Sequence, residues 1–107
     1  MKDPIHGNTI QWKYEAGQMA GKSFEHEFKA DGSVTFKMDG GDGTTVKKYE
    51  TEQVSDMVFA VSYIGPSGWT LTSVLDFDSG KVVSFASNEK QLMVYRGEFH
   101  VVAKHAA

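Results

Sequence analysis

The residues best suited to chemistry in this 107-residue chain are His26, Tyr14, Tyr63, Tyr95, Trp12 and the single arginine, Arg96. An imidazole titrates near neutral pH and serves as a general acid or base, or as a hydrogen-bond partner. His26 stands between Phe24 and Phe28, so in an extended segment it shares their apolar face. There it acts on a ligand or bonds to a neighbouring strand. With no acid partner visible in the sequence, the second reading weighs more. Tyr14 and Tyr63 also fall on apolar faces, where a buried phenol needs a partner, and a ligand or another side chain serves equally. Leu92, Val94 and Arg96 share one face by parity, opposite Met93 and Tyr95. Facing inward, Arg96 would clamp a carboxylate; at a rim it is a solvated charge, the reading preferred.

Other chemistries lack their residues. There are no cysteines, which removes disulfides, thiolate metal sites and a thiol nucleophile. His6, His100 and His105 lie near the ends without a ligand spacing, so no metal site is expected. Glu25, Glu27, Glu50 and Glu52 alternate to an outward face, unlike the paired acids of a glycosidase cleft. Gly40 to Gly43 lack the strand and helix that a phosphate-binding loop requires. No cofactor is implied. The net charge of −3 offers no basic patch for nucleic acid or anionic lipid. The start shows no signal-peptide run, and no stretch approaches a membrane span, so a cytoplasmic protein is expected.

The elements that must position these residues are strands. Thr9 to Glu15 alternates strictly, with Ile10, Trp12 and Tyr14 on one face. Lys22 to Lys29 carries Phe24, His26 and Phe28 inward, and Asp31-Gly32 follows as a hairpin signal. Ser33 to Met38 sets Val34, Phe36 and Met38 inward. Thr44 to Gln53 reads as a strand with Val46 and Tyr49 out of phase, which implies a bulge. Met57 to Tyr63, Trp69 to Phe77, Lys81 to Ala86 and Gln91 to Arg96 complete eight strands. Phe99 to Ala103 is a short ninth or an extension of the eighth. No segment shows a helical repeat. Eight to nine short strands with tight turns and bulky inward aromatics predict an all-β domain over residues 1–107. The expected architecture is a small closed, up-and-down antiparallel β-barrel of the lipocalin-like kind.

Two stretches carry a family resemblance. Trp12-Lys13-Tyr14-Glu15-Ala16-Gly17 and Val61-Ser62-Tyr63-Ile64-Gly65-Pro66-Ser67-Gly68 resemble segments of the bacterial phenolic acid decarboxylases. Those enzymes have aromatic-x-Tyr-Glu-x-Gly on the first strand and Val-Ser-Trp-x-Glu-Pro-x-Gly in the middle. The smaller MoaF-like proteins share that lipocalin-like architecture, and this short chain is closer to them. The resemblance implies an antiparallel barrel with a central cavity, often as a homodimer. The decarboxylase chemistry does not carry over. Gly65 stands where the family's acid precedes the Pro-x-Gly turn, Trp12 replaces the first of two tyrosines, and the arginine position falls near Asp42.

Three functions follow. The first is a barrel binding a small organic ligand, aromatic or planar, with Trp12, Tyr14, His26 and Tyr63 on the cavity wall and Tyr95 and Arg96 after them. The second is a lyase or isomerase acting on an unsaturated acid or carbonyl compound. In it His26 is the acid or base and Tyr14 polarises the substrate. The third is a filled barrel that works through its surface.

Overall fold

Alternation of large apolar and polar side chains organises residues 3–104, which the computed structural model describes, into strands; it has no helix among them. The strands are β1 (Asn8–Ala16), β2 (Ser23–Phe28), β3 (Val34–Met38), β4 (Thr44–Val46), β5 (Tyr49–Ser55), β6 (Val58–Ile64), β7 (Thr70–Asp76), β8 (Lys81–Ser87) and β9 (Leu92–Lys104). All pairings are antiparallel, in the order β4-β3-β2-β1-β9-β8-β7-β6-β5. This is an up-and-down meander whose first and last strands pair, and it curls into a nearly closed barrel.

One strand boundary differs from the sequence expectation. The expected fourth strand, Thr44 to Gln53, breaks at Lys47-Lys48 into β4 and β5. Its two halves serve different neighbours: β4 pairs with β3, and β5 pairs with β6. The phase slip between Val46 and Tyr49 is therefore a change of partner rather than a bulge within one ladder. Closure is short of complete because β4 and β5 occupy the two ends of the strand order. The Tyr49 N–H donates to the Gly32 carbonyl at 3.0 Å and bridges that seam.

A choice left open by the sequence lies at Gly97. Phe99 to Ala103 reads as a short ninth strand or an extension of the eighth, and the extension forms: β9 runs unbroken for 13 residues. A Cβ on Gly97 would sit 1.9 Å from the Lys13 carbonyl oxygen and 2.8 Å from the Tyr14 Cα. The missing side chain is what lets the β1 backbone cross β9 so closely, where the register shifts between Tyr14 and Ala16.

The barrel is filled from one end. Ile5, Ile10, Phe28, Val34, Phe59 and Leu75 are all buried there. An N-terminal strap seats Ile5 beneath them. Asp3 Oδ1 accepts from the Ile5 N–H at 2.8 Å, and the Gly7 N–H donates to the Phe28 carbonyl. Phe77 and Phe99 pack edge to face at 4.9 Å on this side.

Candidate functional site

The opposite end is not filled. There β1 ends, the 17–22 loop begins, and the 65–68 turn joins β6 to β7. A cavity of about 560 Å³ opens between them. Its wall is mostly apolar and includes Met19, Phe24, Phe36, Trp69, Leu71 and Met93. Three phenols enter this wall: Tyr14 from β1, Tyr63 from β6 and Tyr95 from β9. Among the described residues no Lys, Arg, His, Asp or Glu lines it.

Two of the phenols are held from behind. The Trp12 indole N–H donates to the Tyr14 hydroxyl at 2.9 Å, which donates to Ser84 Oγ at 2.7 Å. Ser84 Oγ lies 2.7 Å from Ser73 Oγ. An indole nitrogen can only donate, so the Tyr14 oxygen is the acceptor in its bond to Trp12. Tyr63 is paired with His26, whose Nε2 lies 2.8 Å from the phenol oxygen. The Tyr95 hydroxyl reaches only the Met93 sulfur, at 3.4 Å.

His26 is fully buried. Its ring stacks on Trp12 at 4.1 Å and 17° and lies nearly parallel to Phe28 at 5.5 Å and 11°. Burial pushes its pKa from 6.5 down to about 3, because an imidazolium in this aromatic sandwich would lose its water. Its Nδ1 has no hydrogen-bond partner among the described residues. Burial also raises the Tyr14 phenol, against the opposing pull of its bonds to Ser84 and Trp12. The Tyr63 phenol is raised by burial first and by the neighbouring Tyr14 second. The whole site is neutral at physiological pH.

The six residues singled out in the sequence therefore separate into three groups. Tyr14, Tyr63 and Tyr95 line the cavity. Trp12 and His26 do not; they lie behind it and touch it through Tyr14 and Tyr63. Arg96 is exposed on the outer side of β9 and takes no part, since parity with buried Tyr95 and Gly97 turns it outward. The Tyr14 hydroxyl donates its hydrogen bond to Ser84, so in this arrangement it presents a lone pair, not the donor that a polarising role needs.

Sequence reading passed over Ser73 and Ser84, although a signal was present. Each interrupts an apolar parity run, Leu71-Ser73-Leu75 and Val82-Ser84-Ala86, and the two strands are paired at those positions. Met19 had no such signal, because it lies in a loop. His105 lies outside the described residues. Among the described residues no group of three or more His, Asp or Glu is placed to hold a metal ion. Among the same residues no helix is long and apolar enough to cross a membrane.

Comparison with known proteins bears on the fold. A family model described as MoaF-like matches residues 7–100. No curated protein matches the chain significantly. A solved structure from Burkholderia vietnamiensis, provisionally described as a beta-lactamase, is similar over 95% of this chain and 99% of its own. Its identity is 17% and its TM-score 0.78, a likeness of fold alone.

Proposed function

We propose that this chain, which belongs to the MoaF-like family, binds a small, flat organic molecule in the cavity at the open end of its barrel. The observation that carries this reading is the division of the interior. One half is packed with side chains, whereas the other keeps about 560 Å³ bounded by aromatic and thioether groups. A space of that size and lining suits a small aromatic ligand. Phenols fixed from behind by Trp12, Ser84 and His26 supply directional contacts at little ordering cost on binding.

A catalytic reading has less support. His26 reaches the cavity only through Tyr63, and among the described residues no carboxylate or lysine lines the wall to serve as acid or base. The buried serines bond to each other and to Tyr14, not to a histidine.

A thermal-shift screen over aromatic ketones, amines, phenols, amides and acids tests binding. A ligand at about 100 times its dissociation constant adds about 2.7 kcal/mol, a rise of roughly 10 °C or more for a domain this size. The control is Ala86→Phe, which places a ring in the cavity where Ala86 now lines it. The folded variant is expected to lose the shift. A shift that persists undiminished in Ala86→Phe places the ligand elsewhere.

A further inference from the structure

The cavity wall has a defined hydrogen-bond polarity as well as a shape. Tyr14 accepts from Trp12 and donates to Ser84, so only a lone pair remains to face a ligand. Tyr63 is the converse case, and the tautomer of His26 decides it. A proton on Nδ1 would bury an N–H with no partner among the described residues. A proton on Nε2 leaves there only an unused lone pair, which is the less costly defect. His26 Nε2–H therefore donates to the Tyr63 oxygen, and among the described residues that hydroxyl has no second partner. Its own proton is free to point into the cavity it lines.

A carboxylate entering this space would lose its hydration and meet no cation among the described residues, of which no Lys, Arg or His lines the wall. Burying an unpaired ion carries a large desolvation penalty that neutral hydroxyl donors such as Tyr63, Thr44, Ser67 and Thr70 do not offset. A neutral acceptor loses far less and is matched by the Tyr63 donor.

Building on the ligand-binding reading above, we propose that the cavity selects an uncharged aromatic carbonyl compound, a ketone or amide, whose oxygen accepts from Tyr63, and that it rejects the corresponding carboxylate. His26 is the positioning residue: it holds the phenol oxygen so that the proton faces the ligand. Of the two compound classes the sequence alternative names, an unsaturated acid or a carbonyl compound, the wall favours the second.

The test uses one ring system with four substituents: 2-acetylnaphthalene, 2-naphthamide, 2-naphthoate and 2-ethylnaphthalene. Each is titrated at pH 7.5 into the full chain by calorimetry, with quenching of tryptophan fluorescence as a second readout. The ketone and amide are expected to bind. The naphthoate is expected to bind at least about 100-fold more weakly than the ketone, as an unpaired buried charge requires. The ethyl compound, matched in shape but without an acceptor, is expected to fall about tenfold below the ketone. Tyr63→Phe, checked for folding by its melting curve, is expected to bring the ketone down to the ethyl compound and leave the ethyl compound unchanged. Naphthoate binding as tightly as the ketone overturns the selectivity while leaving the cavity reading intact. A ketone that keeps its affinity in folded Tyr63→Phe overturns the assignment of Tyr63. If none of the four binds, this inference falls; a hit elsewhere in the thermal-shift screen would still uphold the broader reading.

Discussion

His26 sits in an aromatic sandwich with one ring nitrogen paired and the other idle, so its protonation is coupled to folding. In the barrel the imidazole stays neutral down to about pH 3, whereas in the unfolded chain it titrates near 6.5. Between those values the unfolded state holds more protons, so stability rises with pH across the window and falls as pH drops below 6.5. The contribution is expected at up to about 1.4 kcal/mol per pH unit. Urea titrations from pH 4 to 8 read it as the difference in slope between the native protein and His26→Phe, in which carboxylates common to both cancel. The bond to Tyr63 makes a separate prediction. Tyr63→Phe alone strips Nε2 of its partner and is expected to cost about 1–3 kcal/mol. The double variant His26→Phe/Tyr63→Phe removes both polar groups and is expected to recover most of that loss in a melting curve. A double variant less stable than Tyr63→Phe would contradict this account of the pair. Parity along β1 and β2 made the inward direction of Trp12, Tyr14 and His26 legible. It could not tell which of them reach the cavity, because period two reports a face and not a depth along the barrel axis.

Gly97 shows how much of an element can rest on an absent side chain. The sequence left open whether the eighth strand stops before that glycine or runs on through it, since glycine often interrupts alternation. In the barrel the same residue keeps β9 whole by admitting the Lys13 carbonyl where a Cβ would stand. Gly97→Ala is expected to force β1 and β9 apart and to lower stability by about 2 kcal/mol or more. A thermal melt reads this as a fall of roughly 10 °C or failure to accumulate folded protein. An unchanged midpoint would mean that the bulge between Tyr14 and Ala16 relaxes freely. The β4–β5 division was half legible for a related reason. Val46 and Tyr49 disclosed a lost phase, but a phase slip looks the same whether a strand bulges or changes partner, and only the register against β3 and β6 separates the two.

At the scale of the whole molecule, the barrel has one seam, and Tyr49 crosses it. Its N–H bonds Gly32, and its hydroxyl donates to the Lys29 carbonyl at 3.0 Å and lies 2.8 Å from His6 Nδ1 on the N-terminal strap. Tyr49→Phe keeps the ring, which packs edge to face on Phe28 at 5.1 Å, and removes the hydroxyl bonds. The expected cost is about 1 kcal/mol, seen as a melting point lower by about 4–8 °C. Amide exchange should quicken at Tyr49 and Gly7 and stay unchanged at Ser84. Equal acceleration everywhere would show that the seam does not open by itself. Elsewhere the meander joins strands adjacent in sequence, except between β1 and β9, where Asn8 meets Lys104. Nearly all the loop-closure entropy of folding is concentrated in that one pairing. A circular permutant that links the end of β9 to the start of β1 and opens the chain at Lys47-Lys48 turns this distant pairing into a hairpin. Such a chain should refold faster than the natural one, at the cost of easier opening along the seam.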